Sequence, residues 1–276
     1  MLQSKNLWKI FSYFVMILFS ILTIGPLLWL LYSSFKPHAA IVRSPLAFPS
    51  GFYVENYIRS WRLGKLGIYF LNSIIYATVP TIITVFFAMS SGYAFSKFHF
   101  RSSHVLYGIY LTGLLVTVHS VIVPLFILET RIGIDNTRLG VIIPYIAFAL
   151  PFQIFLSTSY IKGIPDSLEE AALIDGASYL AIFMKIIIPV ATPIIATMTI
   201  FTFLSNWNEF ILVLTLTSRV AIRSLPVGIN SFAGGMSRDY GLQFAALVVG
   251  TAPMIVFYLF FHEQLAKGFS AGVSKE

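Results

Sequence analysis

The residues of this chain with a pattern that could do chemistry lie in one segment, Ile161–Pro189. Asp166, Glu169, Glu170 and Asp175 fall within ten positions between Lys162 and Lys185, among small and apolar neighbours. Ser167 with Glu170 three positions later forms a capping-box pattern, with Asp166 as a competing cap, so a short helix is expected over Leu168–Ile174. It should falter at Asp175-Gly176, because glycine is favoured where a helix ends with positive φ. A second segment then runs from Ala177 through Lys185. Helix, sharp turn and helix make a rigid knob, suited to docking rather than to bond-making. Ala171, Ala172, Gly176 and Ala177 let another surface approach the backbone, while Leu168, Leu173 and Ile174 suit a hydrophobic groove. Glu169 and Glu170 remain for basic residues on a partner's rim. From residue types alone, a protein partner competes with a lipid-facing or intrachain role. A lipid-seeking helix usually carries Lys and Arg on its polar face, and this one is mainly acidic.

A second set of polar residues sits in apolar surroundings: Asn72 and Ser73, then Asn206, Asn208 and Glu209. Asn72 and Ser73 suit either a helix-to-helix hydrogen bond or a polar pathway. Glu209 is the sharper case, because an intramembrane carboxylate is costly and ordinarily faces a cavity or a partner. Two readings stay open for it: a structural network, with Arg219, Arg223 or Arg238 as candidate partners, and a role at a gate. Trp207 beside it reads as an interfacial anchor. Metal and nucleotide chemistry find no support. The five histidines, His38, His99, His104, His119 and His262, are dispersed, and cysteine is absent, which excludes disulfides and thiolate sites. No G-x-x-x-x-G-K-[ST] run occurs, and no nucleophile, acid and base converge in the sequence.

The elements that must position these residues are set by composition. Hydrophobic residues make up 57% of the 276 and charged residues 11%, against roughly 25% charged in an ordinary soluble domain. Six uncharged runs are each long enough for the roughly 20 residues that cross about 30 Å of hydrocarbon. They predict helices near 10–32, 69–95, 105–128, 139–160, 186–216 and 243–262. The first resembles a secretory signal only in its preceding Lys5 and Lys9; its apolar stretch is longer than the roughly 7–15 residues of a signal and predicts a permanent helix. The apolar run 141–150 lacks the alternation of a barrel strand, so the spans are helical. Asn206 lies about 30 Å along a helix from Ile186, which puts Asn206–Glu209 near the end of the fifth span away from 161–185. Pro26, Pro80, Pro124, Pro144, Pro151, Pro193 and Pro253 are expected to kink the spans.

Charge does not orient the bundle. With both termini in the cytoplasm, eight Lys and Arg fall inside and ten outside, against the positive-inside expectation. The formal charge of +7 is spread over short loops, with no dense basic run for nucleic acid. The ten outer basic residues suit either an anionic partner surface or plain solvated loops.

The segment Glu170-Ala171-Ala172, three residues, Gly176, nine residues and Ile186-Ile187-Ile188-Pro189 resembles the EAA signature, E-A-A-x3-G-x9-I-x-L-P. That signature marks membrane subunits of bacterial ATP-binding-cassette importers. Ile188 in place of leucine is the one departure, and it is isosteric. The resemblance covers essentially the whole chain and narrows to MalG-like carbohydrate-uptake permeases. Asn72 and Ser73 within 70–73, Gly92-Tyr93-Ala94-Phe95-Ser96-Lys97, 206–210, 225–228 and the tail 267–272 support it in order and spacing.

The resemblance implies an all-α polytopic membrane protein of type I importer permease fold, with six transmembrane helices and a cytoplasmic coupling helix. It divides the chain into an N-terminal helix and external loop (1–68), a five-helix core (69–262) and a cytoplasmic tail (263–276). Ser167, Glu169, Glu170, Ala171, Ala172, Asp175 and Gly176 become the contact with an ATPase, and 161–185 becomes cytoplasmic. Asn72, Ser73, Asn206, Asn208 and Glu209 are left to the pathway or the bundle network. The implied partners are a second permease, two copies of the ATPase, an extracytoplasmic solute-binding protein and membrane lipid. ATP and magnesium would sit on the ATPase, in a bacterial inner membrane complex with both termini of this chain in the cytoplasm. The rivals are an ion-coupled carrier and a membrane scaffold.

Overall fold

The computed structural model describes residues 2–232 and 239–273, with side chains described over 8–232 and 239–261. Helices account for nearly all of the ordered backbone, and no strand occurs among the described residues. The chain forms two compact units, Met1–Gly67 with Gly228–Pro253, and Ile68–Val227 with Met254–Glu276.

In the first unit, α1 (Leu2–Ser33) is long and apolar, and its most apolar window buries nothing within the chain. Such a surface belongs in hydrocarbon. Two short helices follow, α2 (His38–Arg43) and α3 (Glu55–Arg62). The turn between them is held by a buried cation: Lys36 Nζ donates to the carbonyls of Ser44, Pro45 and Ala47 at 2.8, 3.2 and 2.8 Å. Asn56 Nδ2 donates to the Ser34 and Lys36 carbonyls, and Arg59 pairs with Asp239 at 3.1 Å. Of the ten outer basic residues expected to face solvent or a partner, Lys36 and Arg59 instead serve the fold of this unit.

The second unit begins with α4 (Leu66–Lys97), an unbroken 32-residue helix. The predicted third span is in fact two helices, α5 (Ser103–Thr112), continued by a 3-10 turn to Leu115, and α6 (Val118–Ile132), bent by 103°. No proline lies at that break; Thr117 is extended at the N-cap position of α6 and interrupts the hydrogen-bond ladder. Next comes α7 (Arg138–Ile161), which matches the fourth predicted span. The short α8 (Ser167–Ile174) precedes α9 (Tyr179–Ile182), a π turn over Phe183–Ile187 and α10 (Ile188–Val190).

After a 76° bend, α11 (Thr192–Asn208) follows. The predicted fifth span, 186–216, is therefore broken at Ala191 and stops at Asn208, where Glu209 turns extended before α12 (Ile211–Leu216). The chain ends with α13 (Leu225–Ser231) and α14 (Tyr240–Val273). Among the described residues, four helices are long and apolar enough to cross a membrane alone, and up to six spans result if each bent pair is one crossing.

Helices in lipid gain little from apolar burial against each other, so close backbone approach has to hold them. Ala88 and Gly92, four apart on α4, provide it. Ser157 of α7 donates to the Ala88 carbonyl at 2.7 Å, and a Cβ on Gly92 would sit 2.7 Å from the Ser157 Cβ. This contact belongs to a core cluster that also holds Met89, Ile154, Ile161, Ile182, Phe183 and Ile187. The elbow between α7 and α11 is thereby packed into the same core as α4 and α7.

Candidate coupling site

The elbow folds largely as its residues dictate. Gly176 adopts φ +81°, and α8 closes with the paired bonds of a glycine-terminated helix, Ala177 N to the Ala172 carbonyl at 2.9 Å and Gly176 N to the Leu173 carbonyl at 3.0 Å. The start of α8 departs from expectation. Asp166 occupies the N-cap position with helical dihedrals, and no side chain caps the helix. The capping box fails because its residues sit one position later than the motif needs: Ser167 is already the first helical residue. Ser178 is a cap that sequence reading missed; its Oγ accepts from Ala181 N at the start of α9.

Of the seven residues expected to make contact, Ser167, Glu170, Ala171, Asp175 and Gly176 are exposed, and Ala172 is half-buried against the core. Ile174 is 86% exposed, and Leu168 and Leu173 are also open to solvent. This is an apolar rim around a small-residue surface. Glu169 is the exception. It is buried, its Oε1 lies 3.3 Å from Lys97 Nζ, and its Oε2 accepts from the Tyr93 hydroxyl at 3.1 Å. Glu169 is expected on the rim for a partner; the structure instead turns it into the chain, beside Tyr93 and Lys97.

Lys97 is the hub. Its Nζ donates to the Ile164 carbonyl at 2.7 Å and to Asp166 Oδ1 at 2.6 Å. That hydrogen bond, together with the charge behind it, holds the Asp166 carboxyl below the usual carboxylate range. Asp166 therefore stays ionised further into acid than an ordinary carboxylate. Sequence reading gave Lys97 and Tyr93 no role of their own. The available signal was the surplus of acid in 161–185, which calls for a cation from elsewhere in the fold.

The second polar set resolves into intrachain bonding. Asn72 Nδ2 donates to the carbonyls of Ala221 and Arg223 at 2.8 and 3.0 Å, its Oδ1 accepts from Arg138, and Ser73 Oγ accepts from Leu225 N. Tyr76 donates to the Ile222 carbonyl. These residues pin the segment before α13 to the start of α4. Glu209 accepts from Leu212 N at 2.8 Å, from Val213 N at 3.3 Å and from the Tyr145 hydroxyl at 3.0 Å. It caps α12 in place of the arginine pairing considered for it; Arg238 lies outside the described residues. Asn206 reaches Thr81 at 3.5 Å, whereas Asn208 bonds back to the Leu204 carbonyl of its own helix. Trp207 is buried against Phe70 and Phe203, so it is a core residue and not an interfacial anchor.

Apolar helices long enough to cross a membrane, with a small-residue elbow exposed between two of them, describe a polytopic membrane protein. Residues 85–270 match the family of binding-protein-dependent transport system inner membrane components, and the chain belongs to that family. Similar proteins include a diacetylchitobiose uptake system permease of Streptomyces coelicolor, 37% identical over 98% of this chain and 90% of the relative. A trehalose transport system permease of Mycobacterium tuberculosis is 34% identical, covering 91% and 92% of the two chains. A multiple sugar-binding transport system permease of Streptococcus mutans is 32% identical, covering 97% and 96%. The fold matches a crystal structure of a bacterial ABC transporter involved in import of the acidic polysaccharide alginate, with TM-score 0.84, 22% identity and coverage of 94% and 97%. The chain is thus a multi-pass inner membrane permease subunit of a binding-protein-dependent importer, a non-catalytic component that works with ATPase and solute-binding subunits.

Proposed function

We propose that this chain forms half of the translocation pathway for a mono- or oligosaccharide, beside a second homologous permease and above two copies of a cytoplasmic ATPase. The carbohydrate solute is supported by the relatives, whose names specify diacetylchitobiose, trehalose and multiple sugars. The coupling role rests on one observation: Ala171 on α8 and Gly176 at its end are exposed, and none of the described residues covers the apolar rim of Leu168, Leu173 and Ile174 around them. On this reading 161–185 and both termini are cytoplasmic, and ATP and magnesium are held by the ATPase alone. Asn72, Ser73 and Glu209 act as bundle structure.

The elbow works by differential binding. ATP closes the two ATPase subunits, the closed form favours one position of α8, and the bundle follows; a contact equally good in both states would shift nothing. The test is reconstitution of both permeases, the ATPase and the binding protein into vesicles, followed by uptake of labelled oligosaccharide. Uptake should require ATP and ignore ionophores. Ala171→Trp, which fills the exposed surface without altering the turn, and Glu170→Lys, which reverses an exposed charge, should each lower solute imported per ATP at least about fivefold. Uptake by this chain alone, abolished by an ionophore, would replace the reading with an ion-coupled carrier.

A further inference from the structure

We infer that Lys97 is a positioning residue of the coupling site, an ionic clamp that makes α4 move with α8. The inference rests on the reading of α8 as the docking element and adds to it a second route for force.

Covalent and side-chain routes lead from α8 into the bundle. The covalent ones pass the non-helical 162–166 back to α7 and, forward, the left-handed Gly176, the π turn over Phe183–Ile187 and the 76° bend before α11. Each is a joint at which the regular hydrogen-bond ladder is interrupted, so motion of α8 can be absorbed there. The other route is through side chains. The Lys97 side chain is 6% exposed, and its ammonium is shared by the Ile164 carbonyl, Asp166 and Glu169. One turn earlier on α4, Tyr93 donates to the same Glu169. The Asp166 bond is short and charge-assisted, and the Glu169 ion pair at 3.3 Å lies on the buried side of the same ammonium, where the low dielectric strengthens it.

The grip extends to the other arm of the elbow. Tyr93 stacks on Phe183 of the π turn with ring centroids 5.3 Å apart. Phe98, the residue after Lys97, packs edge-on against Tyr179 of α9 at 5.1 Å. The inner end of α4 therefore holds both arms, and beyond it α4 is a continuous helix to Leu66. A displacement of α8 that the hinged covalent routes would dissipate is passed to a rod. Glu169 serves this clamp, which leaves Glu170 as the acidic side chain of α8 that faces outward.

The experiment uses the full reconstituted complex and reads solute imported per ATP hydrolysed. Lys97→Met keeps the apolar stem and removes the charge; the ratio should fall at least about fivefold. Lys97→Arg, which keeps the charge, should restore half or more of the wild-type ratio; a role in packing alone would not separate the two variants. Glu169→Gln should lower the ratio by a smaller factor, since the Asp166 and Ile164 bonds remain, and it decides the matter if Lys97→Met does not assemble. An unchanged ratio in Lys97→Met, or in Glu169→Gln where Lys97→Met does not assemble, overturns the clamp. So does loss in Lys97→Arg equal to that in Lys97→Met. Ala171→Trp run in parallel separates the two ideas: if it also leaves the ratio unchanged, α8 is not the docking element; if it uncouples while Lys97→Met does not, the clamp alone is wrong.

Discussion

Glu209 shows how a carboxylate inside an apolar bundle is accommodated with no counter-ion among the described residues. Two backbone N–H groups of α12 and the Tyr145 hydroxyl converge on it, so the first turn of a six-residue helix supplies the partial positive charge that an arginine would otherwise bring. Removing the acceptor leaves those donors unsatisfied in a region poor in water. Glu209→Ala should therefore destabilise the subunit by about 2 kcal/mol, and Tyr145→Phe, which removes one bond, by about 1 kcal/mol. Both should lower the melting temperature of the detergent-purified complex in that order. If Glu209 lined a gate instead, Glu209→Ala would alter solute uptake while leaving that temperature unchanged.

At the scale of elements, the contact between α4 and α7 depends on Gly92 having no side chain, since a Cβ there meets Ser157. Gly92→Ala should cost about 1–3 kcal/mol through overpacking, and Ser157→Gly should cost stability by losing the bond to Ala88. The double variant should lose less than the sum, a non-additivity that a double-mutant cycle on thermal midpoints measures; strict additivity would mean that the helices do not meet there. Span existence was legible in the sequence, because hydrocarbon thickness sets a length that uncharged runs either reach or miss. The turn at Gly176 was legible too, because only one residue type takes its dihedrals without strain. The breaks at Thr117 and Ala191 were not, since hydropathy records composition and is blind to where a hydrogen-bond ladder is interrupted. The roles of Lys97 and Glu169 were also hidden: the two residues are 72 positions apart, and only tertiary packing makes one the partner of the other.

For the whole molecule, several of the counted cations are held inside the fold. Lys36 is engulfed by three carbonyls, Arg59 pairs with Asp239, Arg138 donates to Asn72 and Lys97 is clasped by Ile164, Asp166 and Glu169, so they report nothing about which face they lie on, and setting them aside leaves the inner and outer counts equal. The positive-inside bias acts on charges near span ends that remain available during insertion. Topology is better read by chemistry, and a chain without cysteine is suited to it. Gly51 is exposed with open space where a Cβ would go, and Ala171 is exposed on α8. In right-side-out vesicles a membrane-impermeant maleimide should label Gly51→Cys and spare Ala171→Cys; in inverted vesicles the pattern should reverse. Adding the ATPase to stripped inverted vesicles should then protect Ala171→Cys, because docking covers the small-residue surface. Labelling of Ala171→Cys from the outer face would remove α8 from the compartment that holds ATP and end its role in coupling. Inner-face labelling that the ATPase does not suppress would keep the topology and move the docking surface elsewhere.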